Sequence, residues 1–437
     1  MNRNLHLCFV VCIVATVAPR TTAWAAANAT NINTDDDEDL IGYTPPSPGP
    51  TAVASGYIDI GFADVQGNGS SIAKGDTRVP ADYGVDPFAA AVNSRGDVAN
   101  NGANAFTNGF EPRSVGIDGR PSFLLNTIST DLRISNANGS YLVFVRGQAF
   151  PRFTSTGDQT NVLIEQAFAR IIPFASQEMA LTIGKSDSVF GVEYLDNQAN
   201  LRTGITPSLM ARYTTGTQLG AKLFYRFQLP ALWSAFSINA AATNGPSLID
   251  ALQTQYASLS GRPVLSARLG YELNLPHFQI KLGASGLEGP RNDQHSAAKR
   301  MRIWGTDARV SVAGFSLSAE YVSVKEDEGD LAEKLTPQGP AFFASGFAAR
   351  GFWAQASWSM RLDWGALEKV TPYVRIGHRR AQFLGFPDVD VARVTAGLRL
   401  DFGESVAVKG EWLFNTERHL TPNVDNDVRA VSLVFSW

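Results

Sequence analysis

From Val53 onward, apolar side chains recur at every second position. Between residues 391 and 402, Ala392, Val394, Ala396, Leu398, Leu400 and Phe402 alternate with Arg393, Thr395, Gly397, Arg399 and Asp401. The split returns in Leu265, Ala267, Leu269, Tyr271 and Leu273 against Ser266, Arg268, Gly270, Glu272 and Asn274, and in Phe278, Ile280, Leu282 and Ala284 against Gln279, Lys281, Gly283 and Ser285. A period of two belongs to a strand with one oily and one polar face, and each segment has about the ten residues a tilted strand needs to cross a bilayer. The pattern predicts an all-β fold, a transmembrane antiparallel up-and-down β-barrel.

Connection lengths set the strand number. Seven short turns fall near residues 135–139, 173–177, 229–232, 274–277, 313–314, 363–369 and 403–405. Eight longer polar stretches lie between them, near 65–119, 151–160, 186–211, 243–262, 288–300, 325–346, 382–390 and 417–427. Short periplasmic turns and longer outer loops in this alternation predict sixteen strands, or fourteen or eighteen if one hairpin is merged or split. Phe227, Trp233, Phe278, Phe315, Trp364, Phe402 and Trp437 sit beside short turns or at the end of the chain, where a periplasmic aromatic girdle belongs, and Tyr213, Tyr321, Phe352 and Trp412 are candidates for the outer girdle.

The N-terminal segment follows other rules. Arg3, the apolar run Leu7 to Ala18 and Ala23-Trp24-Ala25 read as a secretory signal peptide over residues 1–25, because the run is shorter than the roughly 20 residues a membrane-spanning helix needs. Cys8 and Cys12, both cysteines of the chain, fall inside it, so no disulfide or thiol chemistry is expected after cleavage. Residues 26–52 carry Asp35-Asp36-Asp37-Glu38-Asp39 and Pro45, Pro46, Pro48 and Pro50, the composition of a flexible periplasmic tail. The barrel is assigned to residues 53–437.

Composition agrees with a surface that does not all face water: charged residues make up 18% of the chain, below the ~25% usual in soluble domains. With 37 basic against 41 acidic residues, the chain is no nucleic-acid binder. The expected partners are outer-membrane lipids and lipopolysaccharide, the barrel-insertion machinery and small hydrophilic solutes or anions, and a homotrimer is compatible with the pattern. No cofactor and no metal are expected.

At the C-terminus Val431, Leu433, Phe435 and Trp437 alternate with smaller or polar residues, as in the last strand of bacterial outer-membrane barrels. A closer likeness lies in Leu181-Thr-Ile-Gly-Lys185, followed by Ser-Val-Phe-Gly191-Val-Glu-Tyr194 and Asn197-Gln-Ala-Asn200. This resembles the Gly-Lys, Phe-Gly and Glu pattern of the OmpL-like β-barrel porins over residues 160–250, although Pro246 follows Asn244-Gly245 where that family continues with Trp-Asp. The resemblance implies an exported channel in the bacterial outer membrane.

A sixteen-strand barrel is too wide for side chains to fill, so its polar face would line water. That face supplies Arg212, Lys222, Arg226, Arg268, Lys281, Arg309, Arg375, Arg379, Arg393, Arg399 and Lys409, against Glu272, Asp307, Glu320, Asp401 and Glu411. Such an excess predicts a pore that mildly favours anions. The 186–211 loop, with Asp187, Glu193, Asp196 and Arg202, is the candidate constriction if it folds inward. Two other readings compete with a diffusion porin: a barrel enzyme of protease or lipase type, and a plugged structural or adhesive barrel. His277, His295, His378 and His419 fall in no nucleophile or metal spacing, so no catalysis is expected.

Overall fold

The computed structural model describes residues 49–65, 122–154, 157–174, 178–196, 198–245, 261–290, 300–327, 332–336, 339–343, 347–383, 389–418 and 427–437. The signal peptide, most of the acidic and proline-rich tail, most of the 65–119 loop, His295 and His419 lie outside them.

The strands run in chain order. They begin with β1 (Thr51–Val65), β2 (Ser122–Ser135), β3 (Tyr141–Thr154), β4 (Gly157–Ile171), β5 (Met179–Asp187) and β6 (Thr217–Leu229). Next come β7 (Ser234–Thr243), β8 (Val264–Leu275), β9 (Phe278–Pro290), β10 (Arg300–Val312), β11 (Phe315–Glu326), and a short hairpin of β12 (Ala332–Thr336) and β13 (Gly339–Phe343). The last are β14 (Phe347–Trp358), β15 (Met360–Trp364), β16 (Leu367–Phe383), β17 (Val389–Phe402), β18 (Val406–Glu417) and β19 (Val428–Ser436). A four-residue helix, α1 (Ala211–Thr214), precedes β6.

Every barrel strand pairs antiparallel with its chain neighbours, and β1 pairs with both β2 and β19, which closes the sheet. Since β15 continues β14 along the same partner, β16, the closed barrel has sixteen strands. The short turns fall where the sequence places them, between the paired strands, with residues 175–177 of the second outside the described residues. Two expectations change: β3 and β4 keep pairing as far as Thr154↔Gly157, so most of the 151–160 stretch is ladder, and the 325–346 loop carries the β12–β13 hairpin.

The alternation divides the wall as the pattern requires. Leu265, Leu269, Ile238 and Val374 point outward and are about half exposed or more, while Ser266, Arg268, Asn239 and Arg375 point inward and are buried. An exposed apolar belt of this extent is what a membrane-spanning barrel presents to lipid. Trp233, Phe227, Phe315, Trp364 and Trp437 expose their rings on this outer face at the short-turn end, and Phe352 and Trp412 do so toward the other. Tyr213 does not join them. It lies in α1, 1% exposed and inside the barrel, because the loop before β6 runs on to Gly216.

Two strands bulge. Between Asp59 and Ile60 of β1 the register skips Asn126, and between Arg146 and Gly147 of β3 it skips Glu165. Both extra residues are buried on the inner side, where Asn126 Nδ2 donates to Asp59 Oδ1 at 3.2 Å. A bulge adds an interior polar group without shifting the rest of the strand to the wrong face.

Candidate functional site

The polar interior is interrupted by one apolar area. Along the outer halves of β8 to β17, the inward positions are held by Val264, Leu287, Met301, Ile303, Val322, Val324, Ala349, Trp353, Ala381 and Val391. Facing water, such a patch would cost about 25 cal/mol for each Å². It is covered instead by Phe190, Val192, Leu209, Met210 and Tyr213, all from the segment between β5 and β6. This segment, residues 188–216, therefore folds into the barrel, and burial of its five apolar side chains supplies roughly 8–15 kcal/mol gross at 1.5–3 per side chain, an upper bound.

Local sequence explains how the chain turns inward. Gly191 has φ +74°, and a Cβ there would collide with Glu320 Oε1, so a side chain at this position would be both strained and obstructed. Its N–H donates to Ser285 Oγ of β9 at 3.1 Å. Glu193 accepts from Ser208 N at 2.6 Å and Ser208 Oγ at 2.5 Å, clasping the two arms of the segment together. Burial pushes the Glu193 carboxyl up from its ordinary 4.5, opposed by the Arg375 charge and the Ser208 bonds. Phe190, Gly191 and Glu193, the residues of the porin-like motif, are thus those that tuck the segment into the barrel.

Between the arms, residues 196–206 reach across to the far wall. Lys409 Nζ of β18, 1% exposed as a residue, donates to the carbonyls of Ala199, Arg202 (2.5 Å) and Gly204 (3.1 Å). Arg399 Nη1 donates to Leu201 O at 3.1 Å and Arg202 O at 3.0 Å. Glu411 Oε2 accepts from Thr206 N at 2.8 Å, and its Oε1 accepts from the Tyr373 hydroxyl. Arg375 Nη2 donates to Thr206 Oγ1 at 3.0 Å, and Arg309 Nη2 donates to Asp196 Oδ2 at 2.7 Å. Gln198 Oε1 accepts from Tyr57 of β1 at 2.8 Å and from Gln148 of β3 at 3.0 Å.

The remaining candidate cations sort into wall pairs. Arg268 forks onto Asp307, with its Nη2 2.9 Å from Oδ1. Arg226 lies 2.8 Å from Glu272, and Lys281 approaches the same carboxylate at 3.9 Å. Lys222 Nζ donates to Asp187 O at 3.3 Å at the root of the segment, where Asp187 Oδ2 accepts from Gln166 at 2.5 Å. Arg379 Nε donates to the Tyr213 hydroxyl at 3.1 Å, Arg393 Nε to Asn415 at 3.0 Å and Arg399 Nε to Asp401 at 2.7 Å. Arg202 Nη2 donates to Ile205 O within the segment. Arg212 is the exception: it sits in α1 and not on a strand, because β6 begins only at Thr217.

Sequence reasoning missed several inward groups. Arg146 and Asp131 form a two-point ion pair at 2.7 and 2.6 Å, and Asp59, Glu165, Arg170 and Glu326 are buried on the inner side. With these acids included, the positive excess of the interior is smaller than a count over the later strands alone suggests. The segment bonds to β1, β3, β9, β10 and β16 to β18 and packs against Val322 and Val324 of β11, and its own root approaches Gln166 and Lys222. Arg146, Asp131, Arg226 and Lys281, a strip of wall residues held in ion pairs of the wall itself, retain 14–19% of their side-chain exposure.

The barrel fold has a counterpart among solved structures. The outer membrane channel DcaP of Acinetobacter baumannii matches with a TM-score of 0.52 at 10% identity, over 90% of this chain and 99% of that one. The fold is a porin-like barrel. An anion-selective porin from Comamonas acidovorans matches at TM-score 0.49 and 11% identity (89% and 100% covered), and Salmonella typhi OmpF in complex with daunomycin at 0.48 and 12% (88% and 97%). No protein-family model and no curated protein matches the chain.

Proposed function

We propose that the chain is a porin of the bacterial outer membrane, passing small hydrophilic solutes by diffusion, with residues 188–216 as its constriction. One observation carries this reading: a closed barrel, apolar outside and charged inside, holds its third outer segment within the interior while Arg146, Asp131, Arg226 and Lys281 of the wall stay partly exposed. A narrow section in series dominates the resistance of a channel, so Asp196 and the strip of Arg146, Arg226 and Lys281 would set size and charge selectivity. Over the described inner face of the wall as a whole cations outnumber acids slightly, which supports a weak preference for anions. The motif between Leu181 and Asn200 supports a place near the OmpL-like porins, and the exposed aromatic rings support contact with outer-membrane lipids, with insertion by the barrel-assembly machinery and a homotrimer as further expectations. The signal-peptide pattern supports export.

A plugged barrel is the competing reading, favoured by the reach of the segment from β1 to β18. For an enzyme there is less support: the His378–Asp390 pair, 2.8 Å apart, is on the outer face of the wall, not in the interior. Planar-bilayer recording under a salt gradient decides between them. A porin gives stepwise currents and a zero-current potential of the anion sign, whereas a folded protein that carries no current sinks the proposal.

A further inference from the structure

The outer face carries a feature that diffusion through the interior does not use. Across β6 to β10 two neighbouring pairing rows run through small residues: Ala240, Ala267 and Gly286 in one, Ala221 and Ala242 in the other. The rows below and beside them hold Ile238, Leu269, Leu223 and Leu265, so the small residues form the floor of a groove of about 880 Å³, with Trp304 at one edge. Such a groove is large enough to hold an acyl chain.

The outer end of the groove is charged. Arg302 lines it, and Arg302 and Arg300 are half exposed on either side of Glu288, at 2.9 and 2.7 Å. Pairing sets Lys325 beside Arg302, and Arg350 beside Arg380 on the next strands, all on the outward-facing parity. Among the described residues of β9 to β17 this rim holds five cations, against the carboxylates of Glu288, Asp327 and Asp390. It lies at the end of the strands opposite the short turns, which is the outer leaflet if the barrel is oriented as an outer-membrane porin.

We propose that this wall seats one lipopolysaccharide-type glycolipid, with one acyl chain in the groove and its phosphates on the Arg300, Arg302, Lys325 and Arg350 rim. The inference rests on the outer-membrane placement argued above. Two spacings of about 4.8 Å across the sheet and two residues along it separate Arg302 on β10 from Arg350 on β14, a gap of about 12 Å. A single phosphodiester does not bridge it, but a sugar backbone phosphorylated at both ends does. Arginine binds phosphate by paired, charge-assisted hydrogen bonds.

Native mass spectrometry of the detergent-solubilised full barrel, titrated with diphosphorylated lipid A and separately with phosphatidylglycerol, tests the seat. The proposal expects one lipid A bound in preference to phosphatidylglycerol. Arg300→Gln with Arg302→Gln should weaken it by about tenfold or more, the usual effect of losing charge-assisted bonds. A Cβ at Gly286 would meet no atom within 4 Å, so Gly286→Phe should fill the groove without disturbing the wall and also weaken binding. Ala242→Leu is a gentler second filling. Channel currents should be unchanged in all three. Equal affinity for phosphatidylglycerol, lipid A binding unaffected by the rim or groove variants, or subunit dissociation by Gly286→Phe with lipid binding intact would each overturn the seat. Lipid A binding by a barrel that carries no current would overturn the porin reading and leave the seat standing.

Discussion

Lys409→Met separates the two kinds of contact that hold the inward segment. The substitution keeps the length of the side chain and removes the ammonium that serves the carbonyls of Ala199, Arg202 and Gly204. Hydrogen bonds to a charged group contribute about 1.5–3 kcal/mol each, so three give roughly 5–9 kcal/mol. Burying the ammonium costs several kcal/mol, which leaves a net of about 2–4 kcal/mol. The apolar face of Phe190, Val192, Leu209, Met210 and Tyr213 contributes more, roughly 8–15 kcal/mol gross, and does not touch Lys409. The substitution should therefore free the 199–204 stretch while both arms of the segment stay docked. Single-channel recording should show a larger mean conductance with added open-channel noise, and thermal unfolding in detergent should remain one transition, lowered by a few degrees. A quiet channel of unchanged conductance would refute the assignment of Lys409 as the pin. Complete loss of the constricted state would show that the apolar patch holds less than calculated.

Gly191→Ala introduces a left-handed alanine that collides with Glu320; strain of ~1–3 kcal/mol should displace the first arm, seen as faster proteolysis between residues 188 and 216. Arg226→Gln with Lys281→Gln removes two cations from the partly exposed strip and leaves Glu272 with Asn274 and Gln279, so the zero-current potential should move toward cation selectivity; an unchanged potential would place the selectivity elsewhere. For Glu193 the folded pKa lies above 4.5, so the native state binds more protons than the unfolded one between those two values, and stability falls as pH rises through that window. Conductance noise should accordingly be lowest on the acid side, and Glu193→Gln should flatten the dependence.

The barrel was legible because its signal is repeated. A period of two, sampled in strand after strand, fixes which face meets lipid, and apart from Arg212, which lies in α1, the strand residues proposed from the alternation point inward. The inward fold of the 188–216 segment was only half legible. Its charges marked it as a candidate, but the force that docks it comes from the apolar inner patch, visible in sequence only as strands such as Met301–Ile303 and Val322–Val324 whose outer ends are apolar on the polar-face parity. That break in alternation resembles an ordinary irregularity until the register sets the two pairs beside each other. Arg212 and Tyr213 were misplaced for a related reason. Residues 211–216 lack the alternation of a strand, and the helical turn there forms against the packed interior. The partners of Lys409 could not be read at all, since backbone carbonyls leave no mark in a sequence.

The central claim, that the barrel is a channel narrowed by its own third outer segment, is tested most directly by comparing the single-channel conductance of the intact chain with that of a variant in which residues 195–207 are replaced by a short Gly-Ser linker. The replacement keeps the Glu193–Ser208 clasp and the apolar anchors on both arms, so the barrel and its inner patch should remain intact. The predicted result is stepwise current in both proteins, larger in the variant. Equal conductance in two folded barrels, or no current from either, would contradict it.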